Sequence, residues 1–203
     1  MQLHADCRGP FDFAQGRFFG PQKSAGLRMT ELGNMPHHLQ FEQWVPFPIE
    51  HVFAFFSNPE NLPRIMPAAS GTKLIALNRM PAPTPPTGAA SGKAAGVGST
   101  IVTSFRVVPF LSLRAQWIAR ITEFEWNHYF GDVQDKGPFQ RWHHRHEFQA
   151  ETRDGVAGTL VRDVIDYDVG FGLLGGIAHA LFIRRQMEHT FAQRQHTLPG
   201  LLA

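Results

Sequence analysis

From His128 to Phe148 the chain reads HYFGDVQDKGPFQRWHHRHEF, two alternating runs joined at Asp135-Lys136-Gly137-Pro138, the pattern of an antiparallel hairpin. Side chains alternate across a strand. His128, Phe130, Asp132 and Gln134 therefore share one face of the first run, and Trp142, His144, His146 and Phe148 share one face of the second. The other face of the second run carries Arg141, His143, Arg145 and Glu147, which reads as solvent. A wall that mixes large aromatics with histidines and a carboxylate suits a ligand cavity better than a dry core, since buried polar groups are costly unless paired.

Working outward, the neighbouring segments extend the hairpin into a sheet. His37–Val45, Thr72–Leu77, Gly98–Val107, Ser112–Thr122, Trp126–Gln134, Phe139–Glu151 and Gly158–Val169 read as strands, most of them separated by short turns, as in an antiparallel meander. Between the first two, PFPIEHVFAFFSNPENLPRIMP reads as two short helices. Pro48 suits a first turn, Val52, Phe53 and Phe56 form an apolar face, and Ser57-Asn58-Pro59-Glu60 is a stop followed by a new start. After Gly170-Phe171-Gly172, Leu173 to about Leu198 is a long helix whose positions 173, 177, 180, 184, 187 and 191 follow helical spacing, with Arg184 the one polar member. Residues 78–96 collect prolines, glycines and alanines and read as a flexible loop, or more sharply as a mobile lid. Residues 1–36 lack periodicity and are expected to be a poorly ordered extension, which leaves a domain over 37–198 and a short tail over 199–203. Met29 and Met35 are alternative starts.

Composition limits the class. With 203 residues, 43% hydrophobic and 12% aromatic, the chain suits a single core with extensions. A formal charge of +2, with basic residues scattered or paired with acids, gives no reason to expect a nucleic-acid partner. Cys7 is the single cysteine, so an internal disulfide and a cysteine-based zinc knuckle are excluded, and a reducing compartment fits. No apolar run approaches the roughly 18 to 20 residues that span a bilayer, and Asp6, Arg8, Asp12, Gln15 and Arg17 interrupt any leader-like core. A cytoplasmic protein without stable membrane insertion is the expectation.

Particular motifs bring a resemblance. Asn61-Leu62-Pro63-Arg64-Ile65-Met66-Pro67, then Phe130-Gly131-Asp132-Val133-Gln134 with Gly137-Pro138-Phe139, then Trp142-His143-His144-Arg145-His146-Glu147-Phe148, Asp163–Tyr167 (DVIDY) and Phe191-Ala192-Gln193-Arg194 follow one another in order. Together with the order strand, two short helices, strands, long helix, they resemble the SRPBCC superfamily. Its members include START lipid-binding domains, Bet v 1-like proteins and polyketide cyclases, and the match is sharpest to a bacterial cell-division-inhibitor-like group. The resemblance implies an α+β helix-grip fold, a curved antiparallel sheet wrapped around the C-terminal helix. Where such relatives usually carry a proline after the last strand, this chain has Gly170.

The chemistry of the inward face admits several readings. His144 and His146 stand two apart on one strand, and with His128 across the hairpin they have the residue types of a zinc site. The blander account pairs His146 with Asp163, which lies opposite if the Arg153-Asp154-Gly155 turn closes symmetrically; such a carboxylate is expected to favour the imidazolium form. His144, Asp163 and Tyr167 also supply an acid and a base for cyclase or dehydratase chemistry. No nucleophile motif, phosphate loop or dinucleotide fingerprint is present. The preferred reading is a module that binds a small or medium hydrophobic molecule, lined by Trp117, Ile121, Phe130, Asp132, Trp142, His144, His146, Phe148, Asp163 and Tyr167. Neither metal nor organic cofactor is expected, and a protein-interaction module is the third class.

Overall fold

The computed structural model describes residues 37–86, 92–106, 113–170 and 182–203. Seven strands, β1 His37–Val45, β2 Lys73–Asn78, β3 Thr100–Arg106, β4 Arg114–Glu125, β5 Tyr129–Lys136, β6 Arg141–Arg153 and β7 Val156–Asp168, form one antiparallel sheet in the order β1-β7-β6-β5-β4-β3-β2. The meander β3 to β7 follows from short connections, β2 joins β3 across the long loop 79–99, and β1 closes on the free edge of β7. Helices α1 Ile49–Phe56 and α2 Leu62–Ile65 follow β1, and α3 Arg184–Leu202 lies across the sheet. This is the helix-grip α+β fold.

Two tight turns set the register on which the inward face depends. Between β6 and β7, Asp154 and Gly155 both adopt positive φ, 50° and 77°, the requirement of a two-residue turn whose twist matches the strands. That closure puts His146 opposite Asp163 and Trp142 opposite Tyr167. Between β4 and β5 the chain turns at Trp126-Asn127-His128, with Asn127 at φ 60°, a conformation asparagine tolerates better than most residues. The strand expected from Trp126 therefore starts at Tyr129. His128 falls in the turn, exposed, where its carbonyl accepts from the Phe148 amide at 2.7 Å. It does not join the inward histidines.

The core is built in two parts. Around α1, Phe53 is fully buried against Phe124, Trp126, Phe130 and Phe148. Its helix ends as the sequence implies: Ser57 caps it through its amide to the Phe53 carbonyl, and Asn58 accepts from the Glu60 amide to start the next turn at Pro59. The second part joins Ile165 and Tyr167 of β7, and Val169 just after it, to Met187 and Phe191 of α3, with Phe41 of β1 stacked on Phe191 at 4.3 Å.

Helix α3 departs from expectation at both ends. Its buried stripe is Met187, Phe191, Arg194, Leu198 and Leu202, whereas Arg184 is exposed and paired with Glu188. Phe182 and Ile183 lie in a wider π-type turn that rotates the phase of the first residues; positions 173, 177 and 180 fall outside the described residues. The helix also continues through Pro199 to Leu202, so most of the expected tail is helical. A proline inside a helix leaves the carbonyl four residues earlier without a donor, and here the Gln43 side-chain amide donates to that Gln195 carbonyl at 2.7 Å.

Gly170, which follows Val169 after the last strand, has φ 71° and donates its amide to Asp168 Oδ1 at 2.8 Å. Proline can do neither, so the chain's exit from β7 by this path requires a residue other than proline there. Of residues 78–96, the described parts are anchored: Ala95 donates to the Ser57 carbonyl, Pro81 bridges Ala95, and the Trp126 indole donates to the Pro83 carbonyl at 2.8 Å. Residues 87–91 of that loop, and residues 1–36, lie outside the described residues.

Candidate functional site

Cross-strand register assembles the site from three rows. Phe41, Asp163, His146 and Phe130 stand side by side across β1, β7, β6 and β5, and Ile165, His144 and Asp132 form the next row. A third pairs Tyr167 with Trp142. Asp163, only 2% exposed, is the hub. One oxygen, Oδ1, lies 3.0 Å from His144 Nε2 and 2.6 Å from His146 Nδ1, and the other is ion-paired with the Arg194 guanidinium of α3. His144 Nδ1 faces Asp132 Oδ2 at 4.0 Å. A carboxylate only accepts, so the His144 proton sits on Nε2 and the lone pair on Nδ1. The His146 contact is close but poorly aligned, and its buried Nδ1 makes no hydrogen bond of good geometry.

Aromatic rings close around these groups. Phe130 and Phe56 pack on His146, Trp142 and Phe191 on His144, and the Arg194 guanidinium lies over the Phe191 ring at 4.6 Å. The low-polarity surroundings decide the charges. Burial holds both imidazoles well below the usual histidine range, and Arg194, with His146 in the case of His144, pushes the same way. The expected imidazolium is thus overturned. Asp163 is already balanced by Arg194, so desolvation prevails over the nearby carboxylate. Burial also raises Asp132 above the ordinary carboxyl value, against the opposing pull of His144, and lowers Arg194 to about 9.

Stability should therefore fall on mild acidification. A histidine whose folded value is depressed contributes stability that is complete above its unfolded value, about 6.5, and is lost as pH drops below it. Asp132, with its raised value, works in the opposite direction, but two imidazoles outweigh one carboxyl. Urea midpoints of metal-free protein are expected to be lower at pH 5.5 than at pH 7.5; an unchanged or higher midpoint at pH 5.5 contradicts neutral burial.

The sequence-derived lining residues divide into three groups. Asp132, His144, His146 and Asp163 meet in the polar cluster. Trp117 and Trp142 meet edge to face at 4.9 Å, and Phe139 joins them to Tyr167, whose hydroxyl burial raises to about 12. Phe130 and Phe148 instead pack on Phe53 of α1, with Ile121 in the same apolar cluster. Arg194 was missed as a site residue. Its signal was available: it is an arginine three residues beyond Phe191 on the stripe that continues to Leu198.

The outward face differs in kind. His143 Nε2 contacts Glu123 at 2.7 Å, and Glu42, Arg162, Glu147 and Arg145 continue a half-exposed ion-pair ladder. A shallow depression of about 190 Å³ there, bounded by Tyr129, Glu147 and Arg162 among others, is smaller than typical ligand pockets. Exposed pairs contribute about 0 to 1 kcal/mol, whereas unmaking a buried hydrogen bond costs about 1 to 3 kcal/mol. His143→Ala should accordingly be nearly silent and His144→Ala clearly destabilising. Equal denaturation midpoints for the two variants would refute the face assignment.

A curved sheet gripping a C-terminal helix is the Bet v 1-like, SRPBCC-type fold, and here its inner face carries a polar cluster. The chain belongs to the polyketide cyclase / dehydrase and lipid transport family, whose model matches residues 45–195. Among solved structures it is similar to TTHA0849 from Thermus thermophilus (15% identity, TM-score 0.55, 82% of this chain and 97% of that one). It is also similar to Ms6760 from Mycobacterium smegmatis (12%, 0.53, 81% and 90%) and to norcoclaurine synthase from Thalictrum flavum (12%, 0.52, 91% and 98%). At these identities the likeness is one of fold. No curated protein matches the chain. Among the described residues no helix is long and apolar enough to cross a membrane.

Proposed function

We propose that this protein binds a small, largely apolar molecule bearing one or two polar groups, between the sheet and α3, in a cytoplasmic setting. The observation that carries the reading is the polar cluster itself. Two buried neutral histidines and Asp132 stand inside an aromatic wall, with Asp163 and Arg194 fixing their orientation. An arrangement of this kind suits one oriented polar contact within an apolar site. In this reading the ligand meets Trp117, Trp142, Tyr167 and Phe139 on its apolar side and Asp132, His144, His146 and Asp163 on its polar side; Phe130 packs on both His146 and Phe53, and Ile121 and Phe148 belong to the α1 core. Norcoclaurine synthase, of the same fold, has been solved with dopamine and hydroxybenzaldehyde, which supports a ligand of that size.

Mass spectrometry of compounds retained by the purified protein tests this directly. A retained apolar molecule, lost from Trp142→Ala with the fold intact, is the expected result. Protein that stays empty after incubation with small aromatic and polyketide-like libraries overturns it.

One observation favours a second reading, acid–base catalysis of the cyclase or dehydratase type. His144 has a free Nδ1 lone pair, and Asp132 beside it retains its proton more readily than an ordinary carboxyl group. A base and an acid thus stand side by side. Conversion of a bound ligand, abolished in His144→Ala and Asp132→Asn, distinguishes catalysis from binding alone.

A further inference from the structure

We propose that Asp132, His144 and His146 form a binding site for one divalent transition-metal ion of the zinc class. One ligand atom from each residue lies within 4.8 Å of the others, and two of the three are buried histidines. The sequence offered His128 as the third member of a zinc-type set that was not the expected reading; the turn at Trp126-Asn127-His128 removes it, and cross-strand register brings Asp132 to the two histidines instead.

The surroundings supply what a ligand set of this kind requires. A metal-binding imidazole usually donates its second N–H to a carboxylate, which fixes the tautomer and leaves the other nitrogen free to ligate. Asp163 stands in that position toward His144, whose Nε2 is hydrogen-bonded to Oδ1 at 3.0 Å, and the same oxygen lies 2.6 Å from His146 Nδ1, a close contact without hydrogen-bond alignment. The His144 lone pair on Nδ1 then faces Asp132 Oδ2, 4.0 Å away. Arg194 neutralises Asp163 through its other oxygen, so the orienting carboxylate is not itself drawn in as a fourth ligand.

Ligand chemistry selects the ion. Two nitrogens and one oxygen suit zinc, cobalt or ferrous iron, whereas magnesium and calcium need more oxygen donors than one carboxylate provides. Tetrahedral zinc with bonds of about 2.0 to 2.1 Å holds its ligand atoms roughly 3.4 Å apart. Side-chain shifts of about 1 Å suffice to reach that separation from the one observed. Three protein ligands leave a coordination position open to water or to an oxygen of a bound molecule. The site does not depend on the proposed organic ligand, and metal binding is measurable without one.

Untagged full-length protein, stripped with chelator and dialysed, is titrated with Zn²⁺ by calorimetry and with Co²⁺ by visible absorption. The expected result is one ion per chain, a cobalt spectrum with the intensity of a tetrahedral or five-coordinate centre, and a higher thermal midpoint with Zn²⁺. Asp132→Asn preserves shape while weakening the oxygen donor, so it is expected to lower zinc affinity at least tenfold with an unaltered circular dichroism spectrum. Outward-facing His143→Ala should bind as wild type does. Absence of stoichiometric binding in the wild type overturns the site. So does equal affinity in folded Asp132→Asn, or a loss of binding in His143→Ala that matches the loss in His144→Ala.

Discussion

Asp163→Ala is expected to cost about 3 to 5 kcal/mol of folding stability, the range for breaking a buried ion pair by removing one partner. Asp163 is 2% exposed and Arg194 6% exposed, so the guanidinium left behind has no solvent to take over its charge. His144 loses its acceptor at the same time, and Arg194 Nε is already without a hydrogen-bond partner. Sequence alone suggests a smaller penalty, that of one stranded imidazole, because it does not reveal the arginine. Urea denaturation of Asp163→Ala, Arg194→Met and the double variant separates the contributions. The double variant should be more stable than Asp163→Ala, since it removes the orphaned charge. A cost below about 1 kcal/mol for Asp163→Ala, or a double variant no better than the single one, would show that the pair is not the buried hub described above.

Phe53→Ala should cost a similar amount, about 3 to 5 kcal/mol, for a different reason. Phe53 is fully buried and its ring meets Phe124, Trp126, Phe130 and Phe148 at centroid distances of 5.0 to 5.8 Å. Those rings are anchored on β4, the β4–β5 turn, β5 and β6 and cannot all relax into the space. The variant should therefore keep a cavity and show a broad fall in thermal midpoint, whereas Phe53→Leu should lose much less. Equal midpoints for Phe53→Ala and Phe53→Leu would mean that the neighbours collapse onto the site. Unlike Asp163→Ala, this change leaves no charge behind, so its cost should vary little with pH between 6 and 8.

The ends of α3 and the position of His128 show where local pattern and structure part. Pro199 carries the signal of a helix end, yet the helix passes through it because Gln43, far away on β1, donates to the Gln195 carbonyl. Trp126 and His128 fit the alternation of β5, yet Asn127 takes a left-handed conformation that turns the chain there. In each case the deciding partner or backbone state is not visible in a window of a few residues.

Alternation within Trp142, His144, His146 and Phe148 is a local property of an extended chain, and the sequence by itself determined that these four side chains point one way and His143, Arg145 and Glu147 the other. The pairing of His146 with Asp163 was legible only on condition that the Arg153-Asp154-Gly155 turn closes symmetrically, and the observed two-residue Asp154-Gly155 turn, with both φ positive, settles that register. Which charges those histidines bear was decided only by the tertiary structure. Arg194 lies 31 positions after Asp163, on a helix whose rotation over the sheet depends on the packing of Phe191 against Phe41 and of Leu198 in the apolar core. Once that packing brings the guanidinium to Asp163, the carboxylate's charge is balanced, and burial leaves both imidazoles neutral.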